Sequence, residues 1–341
     1  MHAFEQRLAA AWPPAQWQDV GVVVAVSGGA DSVGLLRGLA AIKHNGCGAL
    51  YAAHFNHRLR GAESESDTQL VADLSRVLGF SYAGGAAPPA AEPVSRTSEE
   101  ASRRARYDFL ERTAEELGAR YVATAHTADD QAETILHRIV RGTSIDGLRG
   151  IRRVRPLGTA VTLIRPLLSL RRSEVRQYLE DLGQPFHSDA SNLDLGYTRN
   201  RIRHTLLREL EDEYNPEVVD ALNRLGRLAG EAQEVIEDQL SELVSSAVEV
   251  VAGGTMEVDC AQLNGTPRHL VRQLFVELWR MHNWPLRAMG FEEWDGLADM
   301  AVGSTSAAVA AKKNLPGNIT AQRRGAHLTL SPPRAGLRSG T

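Results

Sequence analysis

The chain has 341 residues, 43% of them hydrophobic and 23% charged, with a formal net charge of −4. At about 150 residues per domain this predicts two domains with real cores, and it excludes a disordered chain, a collagen-like fibre and a disulfide-built miniature. Two cysteines, Cys47 and Cys260, with no Cys-x-x-Cys spacing exclude a zinc ribbon, an iron–sulfur cluster and a redox dithiol, and fit buried or inert reduced thiols.

The longest apolar run, Val20–Val26, is far shorter than the roughly 20 residues of a membrane helix. The N-terminal stretch carries Glu5 and Arg7 and lacks the apolar core of a signal peptide. Together these predict a cytoplasmic chain with no membrane partner. Val20–Val26 itself reads as a buried parallel strand ended by Gly28-Gly29, and Val33, Leu35, Leu36 and Leu39 then give helical spacing up to Asn45-Gly46. There follow a strand at Ala49–Phe55, a helix at Glu65–Leu78, a loop at Gly84–Pro93 and a helix at Ser98–Leu117 capped by Gly118. A strand at Tyr121–Ala125 then leads into a helix from Thr127 or Asp129 to Arg141. Strands alternating with helices predict an α/β fold, a parallel sheet with helices on both faces.

The pattern changes at Tyr214-Asn215-Pro216, where Asn and Pro suit the start of a new helix. Val218, Leu222, Leu225, Ala229, Ala232, Ile236, Leu240 and Leu243 form one apolar stripe of a long helix. Past Gly253-Gly254 come a short strand, helices near Pro267–His282 and Phe291–Ala301, and alternating positions from Ile319 to Leu330. The reading is a domain over residues 1–214, a smaller, mainly helical α+β domain over 215–330, and a disordered tail over 331–341.

Charge is distributed unevenly. Residues 141–210 hold thirteen Arg against seven acids, while residues 211–250 hold eleven acids against two Arg. The chain has only three lysines, Lys43, Lys312 and Lys313, and the planar fork of Arg suits phosphate.

Ser27-Gly28-Gly29-Ala30-Asp31-Ser32 lies between the first strand and its helix. Two glycines let backbone N–H groups approach a phosphate, the helix N-terminus adds its positive end, and Ser27 and Ser32 add hydroxyls. A Walker A loop needs Gly-Lys, which this chain lacks, and the glycine spacing fails the dinucleotide fingerprint. At the next junction, Asp130 and Glu133 are three apart on one helix face. Both junctions open on the carboxyl edge of the sheet, where such folds bind ligands. Acids there hold Mg²⁺ or an ammonium, or they only complement the helix dipole. Arg199, Arg201 and Arg203 alternate in the basic segment, a pattern that suits phosphate contact.

The hexapeptide resembles the PP-loop of ATP pyrophosphatases, which cleave ATP to AMP and pyrophosphate. Four further motifs narrow the resemblance. They are His54-Phe55-Asn56-His57-Arg58-Leu59-Arg60; Glu99-Glu100-Ala101 running on to Arg106-Tyr107; Thr124-Ala125-His126-Thr127-Ala128-Asp129-Asp130-Gln131-Ala132-Glu133; and Asp189-Ala190-Ser191-Asn192 followed by Arg199-Asn200-Arg201-Ile202-Arg203-His204. In this order they resemble the tRNA(Ile)-lysidine synthase family, strongly over Val22–Leu210 and more weakly to Lys313-Asn314-Leu315-Pro316-Gly317.

The resemblance implies ATP-dependent ligation of free L-lysine to the wobble cytidine of the CAU-anticodon isoleucine tRNA, through an adenylated cytidine. It implies ATP held by Ser27, Gly28, Gly29, Ala30, Asp31, Ser32 and His54, with Mg²⁺ on Asp31. Asp130 and Glu133 would receive the lysine ammonium, and His126 would position the nucleotide or move a proton. Arg199, Arg201 and Arg203 would contact tRNA, joined by Lys312, Lys313, Arg323 and Arg324 of the second domain. A homodimer stays open. The alternatives are a tRNA thiolase, which wants cysteines this chain lacks, and a non-catalytic nucleotide-binding protein.

Overall fold

The computed structural model describes residues 1–58, 61–88, 98–187, 196–303 and 311–332. Leu59-Arg60, Asp189-Ala190-Ser191-Asn192 and the tail beyond residue 332 lie outside them. The chain divides into two compact units, Met1–Gly230 and Glu231–Thr341.

In the first unit Val22 and Val24 belong to one core and Val23 to another, all three without exposed surface. That alternation is what a strand covered on both faces requires. This strand, β1 (Gly21–Ala25), lies between β2 (Leu50–Asn56) and β4 (Ala119–Ala123). The sheet runs β3-β2-β1-β4-β6-β5, with β3 at Ser81–Ala86, β5 at Val154–Pro156 and β6 at Thr162–Ile164. Neighbours are parallel except the antiparallel edge pair β5–β6. Helices α1 (Ala3–Ala11), α2 (Ala30–Ile42), α3 (Ala62–Leu78) and α7 (Arg172–Asp181) cover one face, contributing Leu8, Leu36, Val71 and Leu179. On the other face α4 (Ser98–Glu116) contributes Leu110 and Ala114.

From β1 the chain winds outward through β2 to β3, then returns to place β4 on the other side of β1. The carboxyl ends of β1 and β4 therefore flank a topological switch point, the crevice where open α/β sheets bind ligands. The loop from Ser27 and the start of α5 (Ala128–Val140) both open there.

Several expectations are corrected. Gly84 and Gly85 belong to β3, not to a loop. A Cβ on Gly85 would lie 2.5 Å from the Phe109 ring and one on Gly84 2.9 Å from the Tyr82 hydroxyl, so small residues are needed where aromatic rings pack on the strand. After α6 (Ile145–Leu148), β5 and β6, the chain forms α8 (Thr198–Arg201) and α9 (Leu207–Glu209) with π-helical turns over Ile202–Leu206 and Leu210–Tyr214. The long helix α10 (Val218–Ala247) starts where expected, but the units part inside it and not at residue 214. Val219 packs with Ala132, Leu136, Ile202 and Leu207, which ties the first turns of the helix to the first unit.

The second unit is less purely helical than expected. It holds a five-stranded antiparallel sheet, β7-β8-β11-β10-β9, made of β7 (Val248–Val251), β8 (Thr255–Asp259), β9 (Lys312–Leu315), β10 (Ile319–Arg324) and β11 (His327–Ser331). Helices α11 (Arg268–Met281) and α12 (Phe291–Val302) share its core through Phe275, Trp279 and Leu297. Ser331, expected in the tail, closes β11. Of the two thiols, Cys260 is buried and Cys47 is exposed. Among the described residues no helix is long and apolar enough to cross a membrane.

Candidate active site

Gly28 has φ +91°, a conformation open to glycine, and a Cβ there would come within 3.1 Å of Asp67 Oδ1. Gly29 is the N-cap of α2, which places the loop over the positive end of that helix. The two serines brace it. Ser32 Oγ accepts from Ser27 N at 3.0 Å, lies 3.1 Å from Ser27 Oγ and donates to Gly29 O at 2.9 Å. All of Ser27, Gly29, Ala30, Asp31 and Ser32 line a cleft of about 1010 Å³ whose wall also includes His57, Arg106, His126, Asp130 and Glu133. That volume is ample for a nucleotide and part of a second substrate.

Asp31, in the first turn of α2, faces this cleft. Its Oδ2 accepts from Arg172 Nε at 3.2 Å, whereas Oδ1 is buried without a hydrogen-bond partner among the described residues. Burial pushes its carboxyl up to about 6, the Arg172 cation opposes this and the Asp130 charge adds to it. A desolvated carboxylate oxygen with nothing to accept fits a hard cation. Mg²⁺ is commonly held by one or two carboxylates plus substrate phosphates, so no larger protein cage is needed. Among the described residues no three metal-ligating side chains cluster.

His54 does not line the cleft. It is buried behind the loop, with Nδ1 2.8 Å from Val26 O at the end of β1, which ties it to the loop's backbone, and with Nε2 buried without a hydrogen-bond partner among the described residues. Burial lowers its pKa, leaving a neutral ring that donates from Nδ1. His126 is 3.2 Å from Thr124 Oγ1, and burial, with Arg165, Arg103 and Arg199 adding to it, holds its pKa down at about 3 against the pull of Asp130.

Thr127 caps α5 and Asp130 answers it. Asp130 Oδ2 accepts from Thr127 N at 2.9 Å and from Thr127 Oγ1 at 3.0 Å. The other oxygen, Oδ1, accepts from Arg172, Arg199 and Arg203 at 3.0, 3.2 and 3.2 Å. Glu133, one turn on and wholly buried, accepts from Arg203 Nε at 2.6 Å, Arg203 Nη2 at 2.9 Å and Arg199 Nε at 3.2 Å. Burial would raise the pKa of Asp130, but the Arg172 and Arg199 cations outweigh it and hold the group ionised.

This geometry redistributes the roles expected of the arginines. Arg199 and Arg203 are partners of the acids and not free phosphate ligands, whereas Arg201 turns away to Thr198 Oγ1 at 3.0 Å. Arg172, which the sequence reading did not single out, bridges Asp31, Asp130 and Glu133. Its only signal in the sequence was membership of the arginine-rich segment. Asp129 serves α7, accepting from Arg172 N at 2.7 Å and Arg171 Nε at 3.3 Å.

The four basic residues expected to contact tRNA from the second unit also separate. Arg323 Nη1 donates to the carbonyls of Met300, Ala301 and Gly303 at 2.6, 3.0 and 3.1 Å, capping the C-terminus of α12. Lys313 lies over the same helix, since a Cβ on Gly296 would sit 2.4 Å from its Nζ. By strand alternation Lys312 and Arg324 occupy the opposite sheet face, and both are exposed.

A family model described as "PP-loop domain" matches residues 1–210. The chain is 40% identical to the tRNA(Ile)-lysidine synthase of Rhodopirellula baltica over 256 residues, 69% of this chain and 64% of that protein. It is 37% identical to the tRNA(Ile)-lysidine synthase of Geobacter sulfurreducens over 278 residues, 81% of this chain and 58% of that protein. The chain thus spans about six-tenths of the length of these curated relatives. Among solved structures, the U34-tRNA thiolase NcsA from Methanococcus maripaludis with its [4Fe-4S] cluster superposes with a TM-score of 0.56 at 17% identity, covering 67% of this chain and 78% of that one. At that identity the likeness concerns the fold.

Proposed function

This chain belongs to the PP-loop domain family, and on that premise we propose that it catalyses the lysidine synthase reaction, joining free L-lysine to the wobble cytidine of an isoleucine tRNA with a CAU anticodon. The observation that carries this reading is the pairing, across one crevice, of a phosphate loop with two buried acids. A phosphate loop alone suits any ATP pyrophosphatase. An acid pair 0–8% exposed facing it suits a second substrate that is a cation.

In this reading the Ser27–Ser32 loop holds the ATP phosphates, and Asp31 would hold Mg²⁺, which neutralises the departing pyrophosphate. The cytidine carbonyl oxygen attacks the α-phosphate, pyrophosphate leaves, and the lysine ε-amine then displaces AMP at the adjacent carbon. The amine must be positioned and must lose a proton. Asp130 and Glu133 position its ammonium by taking it in exchange for a guanidinium, and Arg199, 43% exposed, is the partner freest to move aside. His126, neutral down to about pH 3, is a weak base and suits hydrogen bonding better than proton removal. The splayed wobble base enters the same cleft, as single-stranded RNA bases generally do when proteins read them. Lys312 and Arg324 add phosphate contacts that position the tRNA without reading its sequence.

A thiolase reading has less support. Cluster-bound sulfur transfer needs several cysteines, and this chain's two, Cys47 and Cys260, share no Cys-x-x-Cys spacing. The test is release of pyrophosphate and AMP from ATP. The reading expects pyrophosphate release to require the CAU-anticodon tRNA, and AMP release and continued turnover to require lysine as well. AMP release and turnover that ignore lysine, or that need a sulfur donor, sink it.

A further inference from the structure

Beside the phosphate loop lies a histidine that no motif drew attention to. His187 Nδ1 is 2.7 Å from Asp67 Oδ1, and the Asp67 side chain is only 8% exposed. A carboxylate at neutral pH only accepts, so Nδ1 carries the hydrogen and the tautomer is fixed. The same residue is tied to the loop by its backbone. His187 N donates to Gly28 O at 3.0 Å, and His187 forms a parallel bridge with Gly29. Asp67 in turn packs against Gly28, within 3.1 Å of where a Cβ would stand. The imidazole therefore stands at the edge of the phosphate cradle, 41% exposed and lining the cleft, with Nε2 the nitrogen left for a ligand.

We propose that His187 is a further phosphate-binding residue, meeting the nucleotide's phosphate oxygens through Nε2, and that Asp67 is its positioning residue. This rests on the reading that the Ser27–Ser32 loop binds ATP. Toward an anion Nε2 must donate, and the Asp67 carboxylate supplies the counter-charge for the imidazolium that does so. The arrangement adds a side-chain donor to the backbone N–H groups of the loop.

Calorimetric titration of the full chain with ATP, inorganic pyrophosphate and adenosine tests it. His187→Ala should weaken ATP and pyrophosphate by about tenfold, the loss of one charge-assisted hydrogen bond, and leave adenosine unchanged. Gln places an amide N–H near the Nε2 position, so His187→Gln should recover most of the affinity. Asn places one near Nδ1, so His187→Asn should bind pyrophosphate as weakly as the Ala variant. Asp67→Asn should weaken pyrophosphate and spare adenosine. Unchanged pyrophosphate binding in His187→Ala overturns the proposal, as does recovery by Asn but not Gln, which would make the ring a fastener for Asp67 alone. Equal losses of adenosine and pyrophosphate in Asp67→Asn would reduce Asp67 to a structural residue. A wild-type chain that binds neither ATP nor pyrophosphate instead refutes the ATP reading itself.

Discussion

Arg203 donates from Nε to Glu133 Oε1 at 2.6 Å, and that carboxylate has no exposure to solvent. With Arg199 on its other oxygen and Arg172 and Arg203 on Asp130, the two acids are already neutralised by guanidinium groups. The pair is therefore structural and functional at once. It holds α5, α7 and the segment around α8 together, and it can bind an ammonium only by exchange.

One consequence is that Glu133→Ala should be costly to the fold, not only to activity. It leaves three guanidinium groups sharing Asp130 alone, and the half-buried Arg203 loses its bonds from Nε and Nη2 to Glu133, so the loss should approach the roughly 3–5 kcal/mol of a broken buried pair. Urea unfolding of the variant measures this. A cost below about 1 kcal/mol would mean that the arginines relax into solvent and that the network holds little together.

Asp130→Asn keeps an oxygen for the Thr127 cap but loses the charge. It should raise the apparent KM for lysine about tenfold or more while ATP affinity stays put, since a hydrogen bond to a charged group is worth roughly 1.5–3 kcal/mol. Steady-state kinetics with each substrate varied separates the two. Unchanged lysine saturation with collapsed ATP binding would move Asp130 to the metal site.

Asp31 carries a pH signature. Burial pushes its carboxyl up to about 6 from the ordinary 3.8, so the folded chain binds that proton more tightly than the unfolded chain. The stability this confers is present below about pH 4 and is lost as pH rises through about 6. Asn at position 31 stays neutral, so Asp31→Asn should become the more stable chain as pH climbs from 4 to 7, by ~2 kcal/mol. It should also lose any stabilisation by Mg²⁺ with ATP and any pyrophosphate release. Parallel stability curves for the two chains across this range would contradict the burial argument.

In the second unit the basic residues should sort by face. Arg323→Ala removes the cap from α12 and should lower thermal stability with little specific effect on tRNA. Lys312→Ala with Arg324→Ala should leave stability within about 0.5 kcal/mol, weaken tRNA binding and flatten its salt dependence. Filter binding at several salt concentrations, beside thermal melts, decides. An unchanged salt slope in the double variant removes Lys312 and Arg324 from the tRNA surface.

The phosphate loop and the acid pair were legible in the sequence because each is local. Glycines beside a strand end and acids three apart on a helix declare themselves within a few positions. The arginine partners were not, because their pairing with Asp130 and Glu133 spans 39 to 73 residues and depends on how α7 and α8 fold back. Nothing in alternating arginines separates a carboxylate partner from a phosphate ligand. Asp67 and His187, 120 residues apart, were hidden for the same reason. The misread of β3 was different in kind. Glycine usually marks a turn, but here Tyr82 and Phe109 occupy the space a side chain would need, a packing fact invisible along the chain.

The most direct measurement of the central claim is mass spectrometry of nucleosides from a CAU-anticodon isoleucine tRNA incubated with this chain, ATP, Mg²⁺ and L-lysine. The account predicts that the wobble cytidine gains one lysine less one water, and that this product vanishes when lysine or ATP is omitted. A wobble cytidine left unmodified under these conditions, or one carrying sulfur in place of oxygen, would contradict it.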